Sequence, residues 1–342
     1  MVHMRVAASI LSWIVLSSLM WPAMTTAAPT AGLYRNAAQA GVELLVDGHL
    51  DGSGVIVSRD GLVVTAAHLI TGTRLEVHAR HLGRHRVTLI ALDPGHDLAL
   101  LQLPRRPRPY PHLSLASRQS VPGADVYLYG SPLYRHGILM RGALARESPS
   151  YEYQPHRGHY VRALHVSGPS PIGSSGGPWL NSKGQVIGIQ SGLIHDGTAP
   201  AGLAYMAPLT ALRRLIRHRR TPAVATLRAG FEELWEQTPA LRALFPDDAQ
   251  GVLPVRIVPG GPADRAGLRP TDLITAIDDR RIGMRDDLLD AIRARSTDSP
   301  LTLHVLRPRV GPLDLRIIPD DLGRSSAAPA HVLAFDTRKT SD

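Results

Sequence analysis

The sequence contains no cysteine, and this absence removes several classes of chemistry at once. Disulfide bonds, thiol nucleophiles and zinc sites built on cysteine are all excluded. Lysine is almost absent too, occurring only at Lys183 and Lys339, so arginine carries nearly all of the formal net charge of +9. Because the arginines are spread over every segment of the 342 residues, we expect no nucleic acid as a partner. Their densest run, LTALRRLIRHRR (209–220), predicts a surface helix with a solvated basic face rather than a nucleic-acid or lipid-headgroup site.

The apolar run near the N-terminus, VAASILSWIVLSSLMW (6–21), is too short for a comfortable membrane span. It follows a short positive start, MVHMR, and precedes small residues in PAMTTAAPTAG. This pattern predicts a secretory signal peptide over residues 1–28, cleaved between Ala23 and Ala31. The alternative is an uncleaved N-terminal anchor. In either case we expect a periplasmic or secreted protein, and export without cysteines suits a bacterial periplasm.

Short strands separated by glycine turns dominate the sequence from Gly41 to Tyr205. GVIVSRDGLVVTAAHLI (54–70) is typical of a hairpin around an Asp-Gly turn, and GQVIGIQSGL (184–193) of another strand. Many strands with little helix before Leu209 predict an all-β barrel or sandwich. A polar linker over residues 219–226 then leads to a second unit with mixed strands and one clear helix, MRDDLLDAIRAR (284–295). Residues 320–342 are expected to form a flexible tail.

Two adjacent serines, Ser174 and Ser175, lie in the glycine-rich stretch PIGSSGGPWL (171–180). A serine hydroxyl needs a neighbouring base, a carboxylate that orients the base, and donors for the oxyanion. GSSGG fits the G-x-S-x-G elbow of α/β-hydrolases, which requires a following helix and the order Ser, Asp, His. Here a glycine-proline turn and a hairpin follow, and the histidine and aspartate candidates lie upstream. The elbow interpretation therefore fails.

The order His, Asp, Ser is that of chymotrypsin-like double β-barrels, and three segments fit it. VVTAAH ends a strand at His68, and DPGHDLALLQL places Asp97 directly before an apolar strand. Asp93, four residues earlier, is the competing carboxylate.

These segments resemble the protease domain of the HtrA (DegP-like) family of trypsin-like serine proteases. Four of them match the family in the family's order over most of residues 52–208: GSGVIVSRDGLVVTAAH, DLALLQL, VYLYGSPLYRHGILMRGALA and GSSGGPWLNSKGQVIGIQSG. The family motif is G-N-S-G-G-P, so the resemblance makes Ser175 the nucleophile, His68 its base and Asp97 the orienting carboxylate. It also implies that the N–H groups of Gly173 and Ser175 form the oxyanion hole. The chain departs from the family at Ser174, where Asn or Asp is usual, and at Trp179, where a smaller aliphatic residue is common.

The resemblance further implies how a substrate binds. The strand carrying Ile189, Gln190 and Ser191 would pair with the substrate backbone. SGPSPIG (167–173) and GTAPAGLAY (197–205) would wall the side-chain pocket, and because they lack acids apart from the nearby Asp196, we expect a small or aliphatic residue before the cut.

No metal or cofactor is required by this chemistry. The histidines of one predicted hairpin, which are expected to be exposed rather than metal ligands, are His78, His81 and His85.

The second unit resembles a PDZ domain of the bacterial protease type, with predicted bounds 227–319. GGPADRAGLRPTDLI is the specific part, although Thr271 replaces the usual glycine and Asp278-Asp279 replaces Asn-Gly. The resemblance implies that Ala229, Gly230 and Phe231 belong to the loop that binds a peptide carboxylate. The residues of the 284–295 helix that would border the groove, or else pack in the core, are Leu288, Leu289 and Ile292.

The sequence thus predicts an all-β chymotrypsin-like double β-barrel protease domain (32–218) followed by a small α+β PDZ domain. The expected function is that of an exported serine endopeptidase acting on unfolded or misfolded polypeptides, with peptide C-termini bound at the PDZ domain. Members of the family commonly assemble as trimers, which makes a homotrimer the candidate assembly. The alternative function is a non-catalytic, PDZ-containing binding or chaperone-like protein on an inert protease fold.

Overall fold

The computed structural model describes residues 30–155, 157–196 and 199–325. The predicted signal peptide lies outside these residues, as does residue 326 onward of the predicted tail. None of the helices in the described segments is both long enough and apolar enough to cross a membrane.

Strands dominate the first two thirds of the chain. In order they are β1 (Gly41–Val46), β2 (His49–Ile56), β3 (Leu62–Ala66), β4 (Leu75–Ala79), β5 (Gly83–Arg86), β6 (Thr88–Asp93), β7 (Leu98–Gln102), β8 (Asp125–Gly130), β9 (Ile138–Leu144), β10 (Ser150–Gln154), β11 (His159–Ser167), β12 (Pro178–Leu180), β13 (Val186–Asp196) and β14 (Ala199–Pro208). Two helices, α1 (Thr30–Ala40) and α2 (Leu209–His218), flank them.

These strands form two seven-stranded antiparallel sheets. The first has the order β5-β4-β1-β2-β3-β7-β6, and the second has the order β10-β11-β14-β13-β12-β8-β9. The second sheet curls onto itself, because Val166 of β11 also pairs with Leu144 of β9. The hairpin predicted around Asp60-Gly61 is confirmed as β2 and β3, and the histidine-bearing hairpin is confirmed as β4 and β5.

The two helices close the space between the sheets. The buried leucines of α2 are Leu209, Leu212 and Leu215, which confirms the predicted surface helix with its arginines outward. Helix α1 was not predicted, although Leu33, Ala37 and Ala40 recur at helical spacing and all three are buried. Alanine is the best helix former, so this short segment becomes helical once it packs on the barrels.

The remainder of the chain is a smaller α+β unit. Its elements are β15 (Ala225–Thr226), β16 (Ala229–Glu233), α3 (Pro239–Arg242), β17 (Val252–Ile257), α4 (Pro262–Arg265), β18 (Leu273–Ile277), β19 (Arg280–Arg281), α5 (Arg285–Arg293), β20 (Leu301–Arg307), β21 (Gly311–Ile317), β22 (Asp320–Asp321) and α6 (Leu322–Ser325). The main sheet has the order β16-β17-β18-β20-β21, so β16 is an edge strand.

Two predicted boundaries are wrong. Strands β15 and β22 pair with each other, Ala225 opposite Asp321 and Thr226 opposite Asp320. The end of the predicted linker (219–226) and the start of the predicted tail (320–342) therefore belong to the second unit. Both segments look polar in sequence, and only their mutual pairing makes them structured.

The two units are joined by side-chain contacts as well as by the chain. The hairpin of β10 and β11 carries Tyr151, whose hydroxyl donates to Asp290 on α5 at 2.7 Å. The guanidinium of Arg293, also on α5, donates to the carbonyl of Tyr160 at 2.7 Å. Helix α5 of the second unit thus binds the β10–β11 hairpin of the first through side-chain hydrogen bonds.

A buried ion pair provides a test of what stabilises the second unit. Asp272 has no exposed surface, and its carboxylate accepts from Arg307 Nε at 2.7 Å and Nη2 at 2.8 Å. Asp272→Ala should lower the free energy of unfolding of this unit by about 3 kcal/mol, because it leaves the partly buried guanidinium of Arg307 without its carboxylate partner. Asp314→Ala is the matched control, since the pair between Asp314 and His304 is exposed and should contribute less than about 1 kcal/mol. Urea denaturation of both variants measures the difference, and equal losses would contradict it.

Candidate active site

Strand pairing brings His68 and Asp97 together. Strand β3 ends at Ala66 opposite Leu98, the first residue of β7, so the residues just beyond these two strand ends are neighbours. His68 lies in a 3₁₀ turn (Ala67–Leu69) that follows β3, and Asp97 immediately precedes β7. His68 Nδ1 is 2.7 Å from Asp97 Oδ2, and the His68 backbone N–H donates to Asp97 Oδ1 at 2.8 Å. One carboxylate therefore fixes both the ring and the backbone of the histidine.

Asp97 is completely buried but remains ionised. Burial alone would raise its pKa, but the charge and hydrogen bond of His68 outweigh burial, with help from Arg157 and Ser191, and lower the pKa to about 2. Ser191 Oγ donates to Asp97 Oδ2 at 2.5 Å, and Arg157 Nη1 lies 3.5 Å from Oδ1. Ionisation at neutral pH suits a group that orients an imidazole and stabilises its protonated form.

Asp93, the competing carboxylate, faces another direction. It is also buried, but it contacts His96 Nδ1 and Arg214 Nη2, each at 3.1 Å. Of the two aspartates, only Asp97 reaches His68.

Glycines shape the segment that holds the two serines. Gly173 and Gly176 have φ of +91° and +80°, in the left-handed region that disfavours other residues. A Cβ on Gly173 would lie 2.4 Å from the carbonyl oxygen of Ser131. A Cβ on Gly176 would lie 2.2 Å from Thr65 Oγ1 and 3.0 Å from the Ala66 nitrogen. The absence of these side chains lets the serine segment lie against the end of β3, two residues before His68.

The two serines differ in exposure. Ser174 is completely buried, and its hydroxyl is one of the buried polar groups without a partner in the described part of the chain. Ser175 is only half-buried. No hydrogen bond joins the Ser175 hydroxyl to the His68 ring among those of the described residues, and such contacts are often long before a substrate is bound.

Ser53 is a positioning residue that the sequence analysis missed. Its N–H donates to the Ser175 carbonyl and its hydroxyl donates to the Gly173 carbonyl, both at 2.8 Å. The same hydroxyl accepts from the Ser131 N–H at 3.0 Å. The signal was a small polar residue between Gly52 and Gly54, where glycines allow two backbones to approach closely.

The N–H groups on either side of Ser174 differ from its own, which donates to the Pro171 carbonyl at 3.1 Å. The Ile172 carbonyl accepts from the Leu133 N–H at 2.6 Å, and because a trans peptide has its C=O and N–H on opposite sides, the Gly173 N–H points away from that contact. Within residues 30–155, 157–196 and 199–325, neither the Gly173 N–H nor the Ser175 N–H donates to an acceptor. Both N–H groups are therefore available to an oxyanion, which is what the predicted oxyanion hole needs.

The substrate-binding prediction is wrong for Ile189 and Gln190. Ile189 pairs with Pro178 on one side and Ala207 on the other, and its side chain is buried. The backbone of Gln190 exchanges hydrogen bonds with the Gly176 N–H and the Gly177 carbonyl. Its side chain accepts from Trp179 Nε1 at 2.7 Å, which gives the unusual tryptophan a partner inside the barrel. Both residues are structural.

Ser191 lies at a break in the strand register. The pairing of β13 with β14 passes from Gln190 directly to Gly192, so Ser191 is left as a bulge. Strand β12 and the backbone of Gly176 and Gly177 cover β13 only as far as Gln190, so the other edge of β13 is open from Ser191 onward in the described sheet. This edge is where an extended substrate could add a strand.

The predicted carboxylate-binding residues lie in a strand rather than in a free loop. Ala229 and Gly230 pair with Ile257 and Arg256 of β17. Phe231 faces the open edge of β16, but its N–H donates to the Tyr160 hydroxyl at 2.7 Å, and that hydroxyl donates to the Phe231 carbonyl at 3.0 Å. The Tyr160 ring stacks on that of Phe231 with centroids 6.4 Å apart. A side chain of the first unit thus occupies the edge where a peptide strand was expected.

The helix residues expected near that edge are all buried. Leu288, Leu289 and Ile292 belong to the same apolar cluster as Phe231 and Tyr160. They therefore act as core residues, and the alternative of plain core packing is correct for all three.

Comparison with known proteins identifies both units. Residues 52–189 match the family model of the trypsin-like peptidase domain, and residues 255–307 match that of the PDZ domain. The chain therefore combines a trypsin-like peptidase domain with a PDZ domain, and the curated relatives that it resembles are HtrA and DegP-like serine proteases. This confirms the resemblance, the double-barrel fold class and the C-terminal PDZ domain.

Individual relatives agree with this assignment. The putative protease Do-like 14 of Arabidopsis thaliana is 28% identical over 291 residues, covering 76% of this chain and 65% of that protein. The probable periplasmic serine endoprotease DegP-like of Hahella chejuensis is 28% identical over 259 residues, covering 75% and 54%. The solved structure of the HtrA-type protease AlgW with decapeptide has the same fold, with a TM-score of 0.61 at 20% identity, covering 84% of this chain and 98% of that one. The chain spans roughly half to two thirds of the length of these curated relatives.

Proposed function

We propose that this HtrA-family protein is an exported serine endopeptidase that hydrolyses unfolded or misfolded polypeptides. The observation that carries the proposal is the buried, ionised Asp97 bonded to His68 Nδ1, beside a glycine-shaped segment that exposes Ser175. Periplasmic DegP-like relatives support export. The homotrimer stays a prediction.

The proposed chemistry assigns one step to each group. Ser175 Oγ attacks the peptide carbonyl carbon while His68 Nε2 takes its proton, and Asp97 stabilises the resulting imidazolium. The N–H groups of Gly173 and Ser175 bind the negatively charged oxygen of the tetrahedral intermediate. The imidazolium then protonates the leaving amine, and a water molecule activated by His68 releases the acyl group from Ser175. The open edge of β13 from Ser191 onward would hold the substrate backbone.

The second unit would bind the C-terminus of a peptide along the edge of β16. An added strand needs the N–H and C=O groups of Phe231, and the Tyr160 hydroxyl now satisfies both. A peptide must therefore displace Tyr160, and its affinity is lowered by the cost of breaking those two hydrogen bonds.

Replacing each serine in turn tests the nucleophile. Ser175→Ala should lower casein hydrolysis by about 10⁴-fold or more, because the remaining residues of a triad cannot act alone. Ser174→Ala, the matched control, removes a buried hydroxyl that has no partner among the described residues and should lower the rate only slightly. A serine-directed phosphonate should label the wild type and Ser174→Ala but not Ser175→Ala. Labelling of Ser174 would overturn the assignment, and an unlabelled wild type would favour the non-catalytic alternative.

Asp97→Asn should reduce kcat by about 10³–10⁴-fold while leaving the fold intact, because an amide favours the wrong imidazole tautomer. Asp93→Asn is the control, since Asp93 is an equally buried carboxylate that contacts His96 and Arg214 instead. Steady-state kinetics on a peptide reporter, with circular dichroism to check folding, measures both. An inactive Asp93→Asn beside an active Asp97→Asn would show that the orienting carboxylate was misassigned.

Tyr160→Phe should increase the affinity of a free-acid peptide with an apolar C-terminal residue by about thirtyfold. The substitution keeps the ring but frees the Phe231 N–H and C=O, and each hydrogen bond lost contributes about 1 kcal/mol. Tyr151→Phe is the matched control, because it breaks a contact between the two units, the bond to Asp290, without freeing β16. Fluorescence anisotropy with free-acid and amidated peptides measures binding.

Equal gains in Tyr160→Phe and Tyr151→Phe would mean that general loosening of the two units, not the Tyr160 hydroxyl, limits binding. Equal binding of the amidated peptide would contradict recognition of the carboxylate.

A further inference from the structure

Asp97 has one partner outside the proposed triad that is permanently charged. Arg157 Nη1 lies 3.5 Å from Asp97 Oδ1, the oxygen that also accepts the His68 backbone N–H. The arginine side chain is 24% exposed, whereas the carboxylate has no exposed surface. A contact of this kind with a buried anion is less screened than a surface ion pair.

Arg157 is carried to Asp97 by the turn between β10 and β11. The N–H groups of Arg157 and Gly158 both donate to the Gln154 carbonyl at 3.0 Å, which closes the turn. His159 Nδ1 is 3.2 Å from the Arg157 carbonyl. Burial lowers the pKa of His159 to about 4, so at neutral pH its ring is uncharged and donates this bond.

The hairpin that carries this turn is fixed on two sides. The Arg162 N–H donates to the Gly95 carbonyl at 2.8 Å, which ties β11 to the loop that leads into Asp97. Tyr160 is held by the PDZ domain, through Phe231 and through Arg293. The hairpin that carries Arg157 is therefore held by contacts with both the loop before Asp97 and the PDZ domain.

The charges around Asp97 single out Arg157. The other titratable groups that interact electrostatically with the Asp97 carboxylate are His68, His159 and Tyr205. Burial lowers the pKa of His159 to about 4 and raises that of Tyr205 to about 12, so neither is charged near neutral pH. Arg157 is thus a permanently positive group that lies against the Asp97 carboxylate and lowers its pKa.

We propose that Arg157 is a positioning residue of the active site, which holds Asp97 Oδ1 so that Oδ2 stays on His68 Nδ1. This inference rests on the proposed protease function for its catalytic consequence, but not for its electrostatic one. Because Arg157 is a cation close to the pair, it also opposes protonation of the imidazole. Its removal should therefore both loosen the carboxylate and let the pair hold a proton up to a higher pH.

The first measurement does not depend on turnover. In the Ser175→Ala background, Arg157→Gln should move the NMR titration of the His68 ring upward by about 0.5–1 pH unit, as expected for a partly screened cation a few ångströms away. Arg157→Lys should keep the titration near its original position because it keeps the charge. Arg162→Gln is the matched control on the same hairpin, since its guanidinium lies near Asp290 and the Tyr151 ring instead.

The second measurement is kinetic. With Ser175 restored, Arg157→Gln should lower kcat about fivefold, with KM changed less than twofold, and should move the acid limb of the kcat/KM profile upward by the same amount as the titration. Arg157→Lys should recover most of kcat. In an Asp97→Asn background, Arg157→Gln should have no further effect, because the amide carries no charge to hold.

The outcomes separate the two claims. An unshifted titration in Arg157→Gln, or equal shifts in Arg157→Gln and Arg162→Gln, overturns the role of Arg157. A shifted titration in a protein without hydrolytic activity supports the contact of Arg157 with the pair and rejects the protease. If Arg157→Gln does not fold, a titration shift in Arg157→Lys as large as 0.5 unit overturns the proposal, because the charge is retained.

Discussion

A negative charge without any exposed surface is the constraint on which the site depends. The Asp97 carboxylate is completely buried, and such a group persists as an anion only when donors and positive charge surround it. Its partners come from three other segments of the chain: the turn after β3, the bulge in β13 and the hairpin of β10 and β11. The first barrel, the second barrel and a hairpin extending from the second must therefore all be in register before Asp97 can be buried.

The same hairpin joins the site to the PDZ domain. Tyr160 is three residues from Arg157, and its hydroxyl satisfies both backbone groups of Phe231. The turn reaches the Asp97 carboxylate, while Tyr160 on the strand beside it contacts Phe231 at the edge of the PDZ sheet. An edge strand is a liability unless it is covered, and here the protease domain covers it.

Local patterns in the sequence predicted most of the fold and part of the candidate site. The Asp-Gly hairpin, the strand before His68 and the strand after Asp97 all follow from alternation and turn residues, and the structure confirms them. The roles of His68, Asp97 and Ser175 remain proposals that the geometry supports. Arg157 and Tyr160 could not be predicted, and the glycines beside Ser53 indicated only a close backbone approach, because each of the three acts on a group 60 to 122 positions away and no local period marks such a contact.

The errors have physical causes of the same kind. Ile189 and Gln190 lie in the strand that carries the open edge, but β12 and the backbone of Gly176 and Gly177 cover that edge as far as Gln190. These contacts join segments distant in sequence, and no turn residue marks where they end. The predicted tail likewise began too early because the pairing of β22 with β15 spans the whole PDZ domain.

The contacts of Tyr160 limit how strongly the two units can influence each other. Any peptide that pairs with Phe231 must first break two hydrogen bonds, which together contribute about 2 kcal/mol. If breaking these bonds also shifts Arg157 relative to Asp97, peptide binding at the edge of β16 and ligand binding at the active site are coupled. Coupling free energy is reciprocal, so a ligand bound at the active site would change peptide affinity by the same factor as the peptide changes the affinity of that ligand. The part of the coupling that these two hydrogen bonds can carry is therefore tens of fold at most.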